Sequence, residues 1–187
     1  MKIALVTTNV HKAREVAAFF AGIMDITHIP LDCPEYRDDD VGEIARKKAH
    51  YAYKELGIPL IADDTAFVIP ALNGFPGPYA AYVHRTIGNG GILRLMDGKS
   101  DPAAWFETAI ACAYPGGIRI FRGRLDGTVV PARGTGGFGY DPIFEHDGRT
   151  LAEYPLPEKS VISHRARALS AFRDWILHEQ PVMEHLL

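Results

Sequence analysis

The sequence is poor in cysteine and lacks a polybasic tract, a long apolar run and any internal repeat. Its two cysteines, Cys33 and Cys112, lie far apart without C-x-x-C spacing, so we expect free thiols in a reducing compartment and no cysteine-bound metal. A net charge of −3 predicts no general binding to nucleic acid. The apolar run from Ile3 to Val6 is too short for a signal-peptide core or a membrane span, so we expect a cytoplasmic protein without a membrane partner.

The chain is predicted to form one domain, covering residues 1–187, around an α/β sheet. Its 187 residues, 47% of them hydrophobic, are enough to bury a core without disulfide bonds. Short apolar runs alternate with segments of helical periodicity, which favours a sheet that binds ligands beyond the carboxyl ends of its strands. Strands are predicted over residues 2–8, 23–29 and 59–62, and helices after Asn9 and from Glu43 to Leu56, where Gly57 ends the helix.

The second half is predicted to contain a hairpin and two more helices. The hairpin joins strands 107–114 and 118–130 at Pro115-Gly116-Gly117. One helix is predicted around residues 79–96, and the last begins at Ser163, a good N-cap. The apolar face of this last helix consists of Leu169, Phe172 and Ile176.

The segment Gly134-Thr135-Gly136-Gly137-Phe138-Gly139-Tyr140-Asp141-Pro142 combines four glycines with two aromatic residues and a carboxylate. Glycine lets a backbone approach a ligand closely, and an aromatic side chain offers a flat stacking face. The segment therefore favours a loop that binds a flat ligand. The alternative is a glycine-punctuated hairpin whose Phe138 and Tyr140 belong to the core.

Two further groups of residues carry positive charge suited to phosphate binding. Thr7-Thr8-Asn9-Val10-His11-Lys12 lies where the first strand meets the first helix, which can be an anion site or an ordinary N-cap with a solvated lysine. Lys159 offers a mobile point charge and Arg165 a rigid fork of donors beside His164, although each can also be a surface residue.

The acidic pair Asp63-Asp64 follows a predicted buried strand, with Glu35 and Glu43 as further acids that can reach the same cleft. Adjacent carboxylates repel each other, so keeping both ionised requires a cation or basic partners. Oxygen ligands without a histidine cluster suit Mg²⁺. The alternative is a solvated turn at the end of the strand, and Asp38-Asp39-Asp40 is read as a solvated loop.

Taken in order, these segments resemble the motifs of the inosine/xanthosine triphosphate pyrophosphatase family over nearly the whole chain. The five motifs are Thr8-Asn9-Val10-His11-Lys12, Ala62-Asp63-Asp64-Thr65, Gly74-Phe75-Pro76-Gly77-Pro78-Tyr79, the segment 134–142, and Glu158-Lys159-Ser160 through Ser163-His164-Arg165. Thr65 stands where many members have serine. Ala80-Ala81 departs from the several members that carry a basic residue there, so the resemblance supplies no phosphate contact from that loop.

The resemblance implies a role for each matching position. Phosphates are held by Thr7, Thr8, Asn9, Val10, His11, Lys12, Lys48 and Lys159, with Thr65 also at the substrate. Glu35 and Asp64 match metal-binding positions, and Asp64 matches the general base. The base is recognised by Phe138, Gly139, Tyr140, Asp141, His164 and Arg165.

The resemblance also implies an elongated mixed α/β sheet with flanking helices, forming two lobes around a nucleotide cleft, and a homodimer. The implied activity is hydrolysis of non-standard purine nucleoside triphosphates (ITP, dITP and XTP) to the monophosphate and pyrophosphate, with Mg²⁺ or, as a substitute, Mn²⁺. Two alternatives stay open at this point. One is a pyrophosphatase for other modified or standard nucleotides, and the other is a purine-nucleotide sensor without turnover.

Overall fold

A computed structural model describes residues 2–178, in which eight strands form one mixed sheet. The strands are β1 (Lys2–Val6), β2 (Asp25–Ile29), β3 (Leu60–Val68), β4 (Pro76–Gly77), β5 (Ala103–Tyr114), β6 (Gly117–Val129), β7 (Phe144–His146) and β8 (Arg149–Thr150). Their order is β2-β1-β3-β5-β6-β7-β8, with β4 paired to β3. The first three strands run parallel, whereas β5 to β8 are antiparallel neighbours, which confirms the predicted mixed α/β fold.

The described helices are α1 (Val10–Phe20), α2 (Val41–Leu56), α3 (Ala80–Met96), α4 (Leu156–Ile162) and α5 (His164–His178). The N-cap predicted at Ser163 is confirmed, because its Oγ accepts a hydrogen bond from the Ala166 N–H at 3.1 Å. Helix α4 was not predicted, and α3 is kinked at Gly88. None of the described helices combines the length and apolar character needed to cross a membrane.

Alternating side chains of the central strands are buried in two separate cores, one on each face of the sheet. Ile3, Leu5 and Ile61 pack with α1 and α5 on one face of the sheet. Ala4, Val6 and Ala62 pack with α2 on the other face. Alanines dominate this second face and let α2 lie close to the sheet; they are Ala45, Ala49, Ala52, Ala109, Ala111 and Ala113.

A third core lies under α3, where Phe67, Phe106, Leu125 and Tyr140 are buried together. The Phe67 ring stacks on Phe106 at 4.6 Å and on Tyr140 at 4.8 Å between ring centroids. Tyr140 is therefore a core residue, as the alternative interpretation of the glycine-rich segment proposed. The prediction that the chain forms a single domain with two lobes stays a prediction.

Strand β3 is longer than predicted, because its two neighbours end at different places. Strand β1 stops at Val6, opposite Ala62, whereas β5 continues to pair with β3 as far as Val68 opposite Trp105. The prediction that Asp63 and Asp64 follow the end of a strand is therefore wrong. Both acids lie within β3, immediately beyond the point where its parallel neighbour ends.

The start of α5 lies directly on the sheet because one cross-strand position is glycine. Thr65, Thr108 and Gly123 pair across β3, β5 and β6 in one row. A Cβ at Gly123 would meet the His164 carbonyl oxygen and the Ala168 nitrogen more closely than real Cβ atoms approach backbone. Gly123 therefore allows the close approach that brings His164 next to Thr108.

The variant Gly123→Ala should lose stability, because the added methyl group meets backbone that can yield only by moving α5. We expect about 1 to 3 kcal/mol less free energy of unfolding, the usual cost of overpacking. Urea denaturation with an unchanged slope measures this loss. The control is Gly90→Ala in α3, where a Cβ meets no atom within 4 Å. Equal losses in both variants would contradict the close-approach role of Gly123.

Candidate functional site

Two cavities meet at β3. The large cavity has a volume of about 730 Å³ and the small cavity about 350 Å³. The residues that line both are Asn9, Lys12, Asp64, Pro78 and Ala81. Together the cavities form one cleft that runs from a highly charged region to a region with aromatic walls.

The structure brings nearly all the predicted site residues to this cleft. Those that line the large cavity alone are Thr7, Thr8, Glu35 and Lys48. Those that line the small cavity alone are His11, Thr65, Phe138, Gly139, Tyr140, Asp141, Lys159, His164 and Arg165. Val10 lines neither cavity: it is the exposed first residue of α1.

The N-terminus of α1 is closed by Asn9. Its side-chain oxygen accepts hydrogen bonds from the His11 and Lys12 N–H groups at 2.9 and 3.3 Å. The N-cap interpretation is therefore right for Asn9, but Lys12 is not a solvated lysine. Its ammonium lies 3.2 Å from Asp63 Oδ2, and its side chain is only 14% exposed.

The two adjacent acids have separate basic partners, because neighbouring residues of a strand point to opposite faces. Asp63 faces α1 and α5, where its Oδ2 lies 3.2 Å from Lys12 Nζ and 3.1 Å from Arg165 Nη2. Asp64 faces α2, where its Oδ2 accepts a hydrogen bond from Lys48 Nζ at 3.0 Å. Basic partners, one of the two predicted solutions, thus stabilise both carboxylates in the described structure.

These pairs set the protonation of the groups involved. Burial raises the pKa of Asp63, but Lys12 and Arg165 lower it more, so this pKa lies below its ordinary value. Burial lowers the pKa of Lys48, but the Asp64 carboxylate outweighs this effect and holds the pKa above its ordinary value. Asp63 is therefore ionised and Lys48 positively charged at neutral pH.

Glu15 of α1 is a buried carboxylate that the sequence analysis missed. It forms an ion pair with Arg165, and its Oε1 lies 2.6 Å from Lys159 Nζ. Lys159 Nζ also donates to Asp141 Oδ2 at 2.6 Å. We call Lys12, Lys159, Arg165, Glu15, Asp63 and Asp141 the buried ion cluster: three cations and three carboxylates that balance in charge.

Lys159 is neither the mobile point charge nor the surface charge that the sequence suggested, because its side chain is 4% exposed and held between two carboxylates. A signal for Glu15 was present in the sequence. It follows Lys12 by three residues and precedes Phe19 by four, so helical periodicity places this carboxylate on the same face of α1 as these two residues.

Phe138 and Tyr140, which the glycine-rich segment places two residues apart, have different environments. Tyr140 donates a hydrogen bond to the Ala80 carbonyl oxygen at 2.9 Å within the core. Phe138 is half-buried at the wall of the small cavity, where its ring stacks on His11 at 5.1 Å and 14°. His11 thus lies with the predicted base-recognition residues, although the resemblance grouped it with the phosphate ligands.

The loop around Phe138 is anchored by Asp141. The Phe138 N–H donates to Asp141 Oδ2 at 2.7 Å, and Gly137 adopts a φ of 67° directly against this carboxylate. A Cβ at Gly137 would overlap the Asp141 side chain. The loop conformation therefore depends on the same carboxylate that binds Lys159.

Arg85 supplies a basic side chain close to Ala80-Ala81, where this chain lacks the basic residue that several family members carry. It lies on α3, four residues and about one helical turn after Ala81, and both residues line the large cavity. The sequence analysis missed Arg85, although its spacing from Ala81 places both on one face of a helix. The large cavity therefore has a basic residue on its α3 side.

In residues 2–178, no group of three or more histidine, cysteine, aspartate or glutamate side chains is arranged to hold a metal ion. The cavity nevertheless offers hard oxygen donors. Glu35 and Asp64 both line it, and buried Asp63 Oδ1 has no hydrogen-bond partner among the described residues. This donor set fits Mg²⁺, which uses few protein carboxylates and takes its other ligands from water and phosphate.

Comparison with known proteins identifies the family. The sequence model that describes the Ham1 family matches residues 3–175 of this chain. The chain belongs to the Ham1 family. This confirms the family predicted from the five sequence motifs.

Relatives match over almost their full length. The dITP/XTP pyrophosphatase of Methanopyrus kandleri is 42% identical over 182 residues, covering 94% of this chain and 96% of that one. The inosine triphosphate pyrophosphatase 1 of Trypanosoma cruzi is 42% identical, covering 92% and 90%. The Ham1 protein structure from Coxiella burnetii has a TM-score of 0.83 at 30% identity, covering 96% and 100%.

The variant Glu15→Gln should be strongly destabilised, because it leaves Lys159 and Arg165 with one buried carboxylate fewer. We expect a loss of about 3 kcal/mol in the free energy of unfolding at pH 7, the lower end for breaking a buried pair, since glutamine keeps the volume. Urea denaturation measures it. The control is Glu158→Gln, whose pair with Arg149 is exposed and screened by water, so its loss should be much smaller.

The difference in the free energy of unfolding between wild type and Glu15→Gln should depend on pH. Burial raises the pKa of Glu15, but Arg165 and Lys159 lower it by more than burial raises it. The folded-state pKa therefore lies below the ordinary value of 4.5. The stabilisation is therefore fully present above that ordinary value and is lost as the pH falls through the folded-state pKa. The difference between wild type and Glu15→Gln should shrink in acid. A constant difference would contradict the ionised state of Glu15.

Proposed function

We propose that this protein hydrolyses non-standard purine nucleoside triphosphates (ITP, dITP and XTP) to the monophosphate and pyrophosphate. One observation carries the proposal: a charged large cavity and an aromatic small cavity join at Lys12 and Asp64. A nucleotide has the same division into a charged chain and a flat base. The names of the relatives from Methanopyrus kandleri and Trypanosoma cruzi support this substrate class.

The small cavity suits a purine base. Phe138 provides a half-buried aromatic face, the Arg165 guanidinium lies 6.0 Å from the centroid of its ring, and His164 lines the same cavity. Burial, together with the nearby cations Arg165 and Lys159, holds the pKa of His164 well below its ordinary value, so its imidazole is neutral. Donors buried in such a pocket favour a base that presents a carbonyl oxygen, because an unpaired buried polar group is costly.

The large cavity suits a triphosphate that carries a divalent cation. Its four cationic side chains are matched by four carboxylates, so its formal charge is zero: Lys12, Arg37, Lys48 and Arg85 against Asp32, Glu35, Asp63 and Asp64. A strongly anionic triphosphate therefore needs additional positive charge. We propose that Glu35 and Asp64 hold Mg²⁺, or Mn²⁺ as a substitute, together with the phosphates.

Phosphoryl transfer requires the protein mainly to position the reactants and to stabilise the charge on the phosphates. Asp64 lies where the two cavities join, which is the position of the α-phosphorus if the base lies in the small cavity. Its carboxylate accepts a hydrogen bond from the attacking water and orients it. Lys12 and Lys48 neutralise charge on the phosphate chain. The bound cation supplies Lewis-acid polarisation of the phosphate oxygens.

Lys48 and Asp64 are suited to this role because their pair is accessible. Their side chains are 22% and 16% exposed, whereas Asp63 and Arg165 are each 2% exposed. Substrate can therefore replace the contact between Lys48 and Asp64 without opening the core. Thr7, Thr8 and Asn9 line the same region and can donate hydrogen bonds to phosphate.

The cellular setting and assembly are further parts of the proposal. Cys33 and Cys112 are both free, which supports a reducing compartment, and we place the protein in the cytoplasm. A homodimer is proposed from the family resemblance alone.

Asp64→Asn should lose most activity, because it removes the charge that orients water and holds the cation. We expect kcat/KM for ITP to fall about a hundredfold or more. Pyrophosphate release with ITP and Mg²⁺ is the assay, and excess chelator should abolish the wild-type activity. The control is Asp25→Asn, the same change at an exposed position on β2. Full turnover in chelator would exclude the cation role.

The position of cleavage is tested by isotope labelling. Water attack at the α-phosphorus places the new oxygen in the monophosphate, since no covalent enzyme intermediate intervenes. Hydrolysis of ITP in ¹⁸O-labelled water, followed by mass spectrometry, should show label in inosine monophosphate. Label in the released pyrophosphate would show attack at the β-phosphorus. Release of orthophosphate would favour a different phosphatase activity.

A further inference from the structure

A chain of hydrogen bonds, buried except at half-buried Thr65, connects Arg165 to His164 through two threonines. Arg165 Nη2 donates to Thr65 Oγ1 at 3.1 Å. Thr65 Oγ1 lies 2.8 Å from Thr108 Oγ1, and Thr108 Oγ1 lies 2.6 Å from His164 Nδ1. Thr108 is completely buried, and Thr65 is its cross-strand partner. The chain therefore depends on the register between β3 and β5.

The guanidinium at one end sets the direction of the protons. Arginine can only donate, so Thr65 accepts from it, and each threonine hydroxyl has one proton to give. Thr65 gives its proton to Thr108, and Thr108 gives its own to His164 Nδ1. In the reverse order, Thr108 would donate to Thr65, and half-buried Thr65 would give its own proton to the small cavity, which it lines, instead of to a protein group. The first order keeps every hydroxyl proton of the chain within the protein, so we adopt it.

The ring of His164 is also fixed in orientation. It stacks on Phe106 with centroids 4.7 Å apart and an interplanar angle of 24°. Phe106 precedes Thr108 by two residues, so both side chains lie on the same face of β5. With Nδ1 bound to Thr108, only Nε2 is left for a ligand in the small cavity, which His164 lines.

We propose that Thr108 is a positioning residue that sets base selectivity, by holding neutral His164 as the tautomer with its proton on Nε2. The imidazole then presents a donor to the base. A 6-oxopurine offers an oxygen at C6 to accept it, whereas a 6-aminopurine presents N–H groups and leaves two donors facing each other. This inference rests on the proposed function for its substrate, but the tautomer itself does not depend on any substrate.

The tautomer is measured first, in the free wild-type protein. Long-range ¹H–¹⁵N NMR correlations of the imidazole distinguish a proton on Nε2 from one on Nδ1, and the spectrum of His164→Gln identifies the signals of His164. We expect the proton on Nε2. A proton on Nδ1 in the wild type would overturn the proposal, whatever any variant of Thr108 does.

Selectivity is measured next, with Thr108→Val, which removes the hydroxyl, and Thr108→Ser, which keeps it. We expect the ratio of kcat/KM for ITP to that for ATP to fall about tenfold or more in Thr108→Val, because Nδ1 loses its donor. Thr108→Ser should restore most of the ratio. A merely structural role would lower kcat/KM for both nucleotides alike and leave the ratio unchanged, which would refute the proposal.

Failure of the proposed function can be distinguished from failure of the tautomer proposal. If the wild type releases no pyrophosphate from ITP, the substrate assignment is wrong, and the NMR spectra of wild type, Thr108→Ser and Thr108→Val still decide the tautomer. If Thr108→Val does not fold, Thr108→Ala removes the same hydroxyl with a smaller side chain and should also lower the ITP-to-ATP ratio. An unchanged ratio in a folded Thr108→Ala variant would refute the proposal.

Discussion

The neutrality of the buried ion cluster is the constraint on which the cleft depends. An isolated buried charge costs several kcal/mol, so the five buried groups of the cluster stabilise one another, with partly exposed Lys12 at its edge. Lys12 and Glu15 come from α1, Asp63 from β3, Asp141 from the glycine-rich loop, Lys159 from α4 and Arg165 from α5. The cluster is balanced only when all these elements are together, which ties the glycine-rich loop to the sheet.

The sheet pleat explains how one acidic pair can serve both structure and chemistry. Asp63 points toward α1 and α5 and joins the cluster, whereas Asp64 points toward α2 and the accessible Lys48. The first carboxylate is held by two cations in the core. The second can exchange its single cation for a ligand. Adjacent positions in the sequence therefore receive opposite roles because a strand alternates its faces.

Sequence reasoning reached the motifs but not their partners. Helical periodicity and N-cap residues predicted the position of α2 and the start of α5, and the acidic, glycine-rich and basic motifs identified the family. The contacts within the cluster were beyond local patterns, since Arg165 binds Asp63 and Glu15 across 102 and 150 residues of chain. Lys159 was misread for the same reason: whether a lysine is solvated depends on a carboxylate that only the tertiary fold supplies. The extension of β3 was missed because it depends on pairing with β5.

The cleft thus combines a rigid end with an accessible end. At the rigid end, Thr108 and Gly123 pair across β5 and β6, one providing a hydroxyl for His164 and the other the space for its backbone. A selective site needs such rigidity, because a donor discriminates between bases only if it cannot turn away from the wrong one. At the accessible end, the proposed phosphate binding requires positively charged side chains that are free to move. The fold meets both needs by placing the buried ion cluster beside the small cavity and leaving Lys48 and Arg85 at the large cavity.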